Sequence, residues 1–156
     1  MGILRERDKQ KHLDYQELFD PATRLPRPHL VRDRLEVALA RAGRTRRNVG
    51  VFFVTVLVPE DLSSGPGSSF DVLPLIAGRL RSAVRPDDTV GRLGEHEFIV
   101  VCNDVSDEAD LAAVADRLRS VIGVRVFLDE SKSVMSARID ARLGRPQDRA
   151  TDLLTR

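Results

Sequence analysis

A short polar turn between two strand-like segments constrains the fold of this chain most strongly. Residues 98–102 form a continuous apolar run, and residues 90–93 precede them across four turn residues that begin with a glycine. Strands joined by so short a connection must lie side by side and antiparallel. The segment therefore predicts a β-hairpin. Its tip consists of Gly94, Glu95, His96 and Glu97, and Phe98 follows as an apolar residue of the second strand.

Helical and strand patterns alternate along the rest of the chain. Apolar residues recur at helical spacing in three segments, residues 29–42, 71–84 and 107–122, and a last helix is expected from about residue 148. Strands are predicted at residues 49–58, 124–128 and 134–143. Such alternation is typical of an α/β fold in which helices cover a sheet.

Three residues are expected to mark helix boundaries. Gly43 follows the first helical pattern and predicts its end, and Pro86 is expected to follow the end of the second. Pro74 is expected in the first turn of that second helix, where its missing N–H costs nothing.

Composition indicates one globular domain. The chain has 156 residues, of which 42% are apolar and 31% charged, and these proportions are ordinary for a globular protein with one core. A formal net charge of +1 argues against a nucleic-acid or membrane-surface partner. Cys102 is the only cysteine, which excludes an internal disulfide. No signal peptide or membrane-spanning run is recognisable, so we expect a cytoplasmic location.

Several segments in the same order resemble one known family. The run from Arg92 to Phe98 resembles the Arg-x-Gly-Gly-Asp/Glu-Glu-Phe turn of GGDEF domains, the diguanylate cyclases that condense two GTP into cyclic di-GMP. Residues 20–30 resemble the family's opening Asp-x-Leu-Thr-Gly-Leu-x-Asn-Arg segment, with Arg24 in place of glycine, and residues 79–94 follow its run into the turn. Separated matches in the right order are a far stronger signal than any one of them.

The resemblance covers about residues 15–156 and implies both a fold and a domain division. The implied fold is an α/β domain with a central, mostly antiparallel sheet of about five strands flanked by helices. Residues 1–18 correspond to a linker helix of the kind that carries signals in this family. Residues 19–156 correspond to a degenerate GGDEF domain whose last helix is truncated.

The resemblance also implies that catalytic acids have been replaced. Family members hold Mg²⁺ and GTP phosphates between acids at the end of the first strand and an acid in the turn; these positions fall at Thr55, Leu57 and His96. Magnesium prefers carboxylate oxygen, which none of the three supplies. Glu97 matches the second acid of the turn, and Glu95 stands where the second glycine is expected. We therefore expect no cyclase activity, no metal site and no cofactor.

Other nucleotide contacts of the family are also replaced. The positions of its phosphate-binding lysine, its guanine-reading asparagine and its late Ser-x-Gly fall at Glu60, at Ser63–Ser64 and at residues 138–140. The tip offers no substitute metal site, because strand alternation places Glu95 and Glu97 on one face and His96 on the other.

One functional element of the family is retained. Cyclases inhibited by their product carry Arg-x-x-Asp shortly before the turn, and Arg85-Pro-Asp-Asp88 lies at the matching offset before Gly94. A guanidinium binds guanine O6 and N7 or a phosphate, and a carboxylate accepts from guanine N–H groups. The resemblance adds an arginine of the next helix, either Arg117 or Arg119. The alternative is that the segment only stops a helix and forms a turn.

The sequence thus predicts a catalytically inactive domain in cyclic di-GMP signalling. Its expected partners are cyclic di-GMP, bound through Arg85 and Asp88, and a second copy or a signalling protein. The alternative is an interaction or dimerisation module that binds no nucleotide and regulates a partner.

Overall fold

The computed structural model describes the backbone of residues 17–59, 69–123, 125–128 and 131–155. Within these residues the chain alternates between helices and strands as the sequence predicts. The elements, in chain order, are α1 (Pro28–Thr45), β1 (Asn48–Leu57), α2 (Ser69–Ser82), β2 (Thr89–Arg92), β3 (Glu97–Val105), α3 (Glu108–Ile122), β4 (Arg125–Leu128), β5 (Ser131–Val134), β6 (Ser136–Gly144) and α4 (Ala150–Leu154).

The main sheet has four strands in the order β2-β3-β1-β6, and every neighbouring pair is antiparallel. Strands β2 and β3 form the predicted hairpin, with Arg92 opposite Phe98 at its base. The predicted mostly antiparallel α/β fold is confirmed. The described sheet has four strands in place of about five, and β4 and β5 form a separate two-stranded sheet.

Strand β1 lies inside the sheet and is covered on both faces. Phe52, Val54 and Val56 belong to a core shared with α2 and α3, whereas Val51 and Phe53 belong to a core shared with α1 and α4. Alternate side chains of a strand point to opposite faces, so a continuous apolar run is what a doubly covered strand requires. The helices therefore fix β1 and its partner β3 in place.

Several predicted boundaries are wrong. Helix α1 continues past Gly43 to Thr45, and Arg46 ends it in a left-handed conformation with φ of 57°. Helix α2 starts at Ser69, so Pro74 lies inside it and not in its first turn. Where the sequence predicts two late strands, the chain forms three, because residues 131–134 turn back onto β4.

Helix α1 packs closely on the hairpin through one glycine. A Cβ atom added to Gly91 would lie 2.3 Å from Val31 Cγ2 and 3.2 Å from the carbonyl oxygen of Pro26. Arg92, the next residue, donates its backbone N–H to the same Pro26 oxygen at 2.9 Å. The absence of a side chain at Gly91 thus lets the segment before α1 contact strand β2 directly.

Two predicted segments lie outside the described residues. Most of the linker helix implied over residues 1–18 falls in residues 1–16, and the polar loop after β1 falls in residues 60–68. Among the helices that the structure describes, none is long and apolar enough to cross a membrane.

Candidate functional site

The hairpin tip is held by backbone bonds and by one arginine. The N–H groups of Leu93 and Gly94 donate to the Glu97 carbonyl at 2.8 and 3.2 Å. Arg92 donates from Nε to the Gly94 carbonyl at 3.0 Å and from Nη2 to the Glu95 carbonyl at 3.2 Å. This side chain therefore fixes the conformation of the turn from within.

A clasp formed by Asp20, Thr23 and Arg92 ties the tip to the segment before α1. Arg92 Nη1 lies 2.8 Å from Asp20 Oδ2, and both side chains are largely buried, with 14% and 16% exposed. The same carboxylate oxygen accepts from Thr23 N at 2.9 Å and from Thr23 Oγ1 at 2.6 Å. Burial alone would raise the pKa of Asp20, but the hydrogen bonds from Thr23 and Arg92 outweigh it and lower the pKa below 3.8.

The tip lies beside the end of β1, as the resemblance implies. Thr55 is directly opposite Glu97 in the sheet, and Val56 N–H donates to the His96 carbonyl at 2.8 Å. A Cβ at Gly94 would be 3.6 Å from Glu97 Oε2, so this carboxylate lies back over the turn. Thr55 and Glu97 thus face each other at two positions for which the resemblance implies acids.

Leu57 and His96, the other two described positions where the resemblance implies metal-binding acids, supply no carboxylate. Leu57 is 47% exposed at the end of β1. His96 Nε2 lies 3.8 Å from Glu95 Oε1, and its buried Nδ1 has no hydrogen-bond partner among the described residues. In the described part of the chain, no three His, Cys, Asp or Glu side chains are grouped so that they would hold a metal ion.

The Arg85–Asp88 turn follows α2 and is held by the Asp88 carboxylate. Asp88 Oδ2 accepts from Arg85 N at 2.9 Å, and Oδ1 accepts from Asn103 N at 2.8 Å. Asn103 Nδ2 donates in addition to the Asp87 carbonyl at 2.9 Å. Asp88 therefore stabilises the turn and joins it to β3, while the exposed Arg85 side chain stays outside this network.

Arg85, Asp88 and Arg117 line one cavity of about 470 Å³ between the turn, the end of β3 and helix α3. Arg119, the other candidate, does not line it. It pairs with Asp116 at 2.8 Å on the exposed side of α3. Side chains two positions apart on a helix point in nearly opposite directions, so only one of Arg117 and Arg119 faces the cavity. The structure therefore brings Arg117, and not Arg119, to the cavity of Arg85 and Asp88.

Sequence reasoning missed several residues at this cavity, among them Cys102, Asn103 and the two acids Asp104 and Asp110. Cys102 and Asn103 line it at the end of the apolar run of β3. The change from apolar to polar residues at this point was the sequence signal that could have indicated them. Asn103 Oδ1 is buried and has no partner among the described residues. Burial and the neighbouring charge of Asp88 raise the pKa of the Cys102 thiol to about 12, although Arg117 and Arg85 act in the opposite direction. Cys102 is thus an inert wall of the cavity.

Comparisons with known proteins agree with the geometry. The family model for "Diguanylate cyclase, GGDEF domain" matches residues 17–156. Over 128 residues the chain is 36% identical to the bifunctional diguanylate cyclase/cyclic di-GMP phosphodiesterase MucR of Pseudomonas aeruginosa, covering 81% of this chain and 18% of MucR. The chain therefore spans less than a fifth of the length of that relative.

Solved structures show the same fold. The GGDEF domain of TpbB from Pseudomonas aeruginosa superposes with a TM-score of 0.72 at 28% identity, covering 82% of this chain and 79% of that one. The coiled coil and GGDEF domain of DgcB from Caulobacter crescentus, in complex with cyclic di-GMP, gives a TM-score of 0.78 at 12% identity, covering 98% and 83%. The resemblance drawn from the sequence is thereby confirmed.

Proposed function

The chain belongs to the GGDEF family, and we propose that it is a catalytically inactive member that binds cyclic di-GMP and reports it to a partner. The proposed location is the cytoplasm. The proposal has two parts, binding and inactivity, and different residues carry each.

One observation carries the binding part: Arg85, Asp88 and Arg117 line a single cavity of about 470 Å³. Its volume lies within the range of roughly 300–1,000 Å³ typical of small-molecule sites. Two guanidinium groups suit guanine edges and phosphates, and a carboxylate suits guanine N–H groups. The solved complex of DgcB with cyclic di-GMP supports the choice of ligand at the level of the fold.

The chemistry of the hairpin tip supports inactivity. Phosphoryl transfer depends on metal ions that neutralise the developing charge on phosphate oxygens. At the end of β1 the neutral Thr55 faces Glu97, and Leu57 and His96 stand where the other two acids are expected. A histidine nitrogen suits transition metals better than magnesium. With one carboxylate among its described residues, this site would hold a hard dication weakly.

One contact favours a second candidate, an interaction module without a nucleotide. Both carboxylate oxygens of Asp88 already accept backbone N–H groups, which is sufficient reason for an aspartate at this position. In that case the Arg85–Asp88 turn only connects α2 to β2. The two candidates differ in what the guanidinium groups do, so arginine variants separate them.

The test is calorimetric titration of cyclic di-GMP into the wild-type chain and three arginine variants. Arg85→Ala and Arg117→Ala should each weaken binding by roughly 1–3 kcal/mol, the value of a good contact to a guanine edge. Arg119→Ala is the matched control, because it removes the same charge from the same helix outside the cavity. Equal affinities of all four proteins, or no binding at all, would favour the interaction module.

A further inference from the structure

A second groove lies on the other side of the Arg85–Asp88 turn and contains four arginines. It has a volume of about 310 Å³, and Arg24, Arg34, Arg81 and Arg85 line it together with apolar side chains that include Phe19 and Val90. The arginines come from the loop before α1, from α1, from α2 and from the turn after α2. The fold thus gathers four positive charges from distant parts of the chain around one space. We call it the arginine groove.

These charges have no acidic partners in the described part of the chain. None of the four guanidinium groups forms an ion pair with a residue that the structure describes, and all four residues are exposed. Among the residues that the structure describes, Asp88 is the one acid that lines the groove, and backbone N–H groups already occupy both of its oxygens. The groove therefore carries a strong net positive potential.

The backbone at Arg24 is strained. Its φ is 62°, in the left-handed region that glycine adopts without cost and arginine adopts at a penalty. Arg81 Nη2 donates to the carbonyl oxygen of Arg24 at 3.2 Å, which places two of the guanidinium-bearing residues in contact. A strained residue that adds a charge to a groove already rich in like charges costs stability, and a bound anion would offset that cost.

We propose that the arginine groove binds the phosphate chain of a polyphosphate ligand, either an inorganic polyphosphate or a nucleoside triphosphate. Planar guanidinium groups bind phosphate oxygens in pairs, and several of them around one small space match a chain of linked phosphates better than a single carboxylate. The volume fits a small molecule and not a long polymer. This groove lies apart from the cavity on the Arg117 side, although Val84, Arg85 and Asp88 line both.

Calorimetric titration of the full chain with inorganic triphosphate, GTP and ATP, at an ionic strength of about 0.15 M, tests the proposal. Arg24→Gly and Arg34→Ala should each weaken triphosphate binding roughly tenfold, as loss of a charged hydrogen-bonding group does. Arg46→Gly and Arg32→Ala are matched controls, since Arg46 also has a left-handed backbone and neither residue lines the groove. Both controls should bind triphosphate as the wild type does.

The three ligands identify the source of the phosphate chain. Similar affinities for all three mean that phosphates alone are recognised, and tighter binding of GTP or ATP means that the apolar wall holds a base; either result supports the groove. No saturable binding of any of them would refute the proposal, as would equal losses in the groove variants and their controls.

The outcome is independent of the proposed cyclic di-GMP site. Arg117→Ala should lose cyclic di-GMP affinity and keep triphosphate binding, whereas Arg24→Gly should do the opposite. Triphosphate binding without cyclic di-GMP binding would remove the receptor proposal alone, and the converse would remove the arginine groove alone.

Discussion

Two arginines hold backbone conformations that glycine adopts more easily. Arg24 and Arg46 have φ of 62° and 57°, the first in the loop before α1 and the second at the end of α1. We expect Arg24→Gly and Arg46→Gly each to stabilise the fold by about 0.5–1 kcal/mol. The left-handed penalty, about 1–2 kcal/mol, exceeds the greater unfolded-state freedom of glycine. Urea unfolding measures this, and a loss of stability in either variant would contradict it.

Gly91 is constrained by space, in contrast to Gly78. A Cβ at Gly91 would meet Val31 Cγ2 at 2.3 Å, whereas a Cβ at Gly78 meets nothing within 4 Å. Gly91→Ala should therefore destabilise the protein by about 1–3 kcal/mol through overpacking. Gly78→Ala, within helix α2, should stabilise it by about 0.5–1 kcal/mol because alanine favours helix. Midpoints of thermal unfolding that moved in the same direction for both variants would contradict this account.

At the scale of single residues, the sequence predicts which side chains could bind a ligand better than it predicts which way those side chains face. It identifies Arg85 and Asp88 by their spacing, and the structure places both at one cavity. It leaves Arg117 and Arg119 open, because helical spacing shows that they face apart without showing which one faces inward. Of the two hydrogen bonds that the Asp88 carboxylate accepts, one comes from Asn103 N–H, in strand β3, and no local pattern reveals that contact.

The segment before α1 and the hairpin act as one unit through the clasp of Asp20, Thr23 and Arg92. Because folding lowers the pKa of Asp20, its contribution to stability is complete above its ordinary pKa and is lost as pH falls through the lower, folded-state value. Asp20→Asn should be less stable than the wild type by about 1–3 kcal/mol at pH 7. That difference should shrink steadily below about pH 4.

Urea unfolding of both proteins across this pH range measures the effect. The other carboxyl groups titrate in both proteins, so they cancel in the difference between the two free energies of unfolding. A gap that stayed constant down to the lowest pH would show that the charge of Asp20 contributes nothing to the clasp.

At the scale of elements, periodicity predicts where helices and strands lie, and long-range packing decides where they end. The apolar run of β1 is recognisable because both faces are covered. The end of α1 cannot be recognised from the sequence, since Gly43 remains helical and Arg46 takes the left-handed conformation that ends the helix. The split of the late strands into β4, β5 and β6 depends on pairing between strands, which leaves little trace in a short apolar pattern.

At the scale of the whole molecule, the replaced acids predict an inactive cyclase. Incubation of the purified chain with GTP and Mg²⁺ or Mn²⁺ should yield no cyclic di-GMP by chromatography, because one carboxylate would hold the catalytic metals poorly. A variant with both Thr55→Asp and His96→Asp should fail as well, since the family's lysine and guanine contacts are also replaced. Protein-dependent product from the wild-type chain would contradict this prediction.

The central claim is that the fold has kept a product site after losing its catalytic acids, and one titration tests it most directly. Cyclic di-GMP added to the wild-type chain should give saturable heat with an affinity of about micromolar or tighter. Cyclic di-AMP should bind much more weakly, because adenine lacks O6 and presents an amino donor in its place. Equal binding of the two dinucleotides, or no heat with excess cyclic di-GMP, would contradict the account.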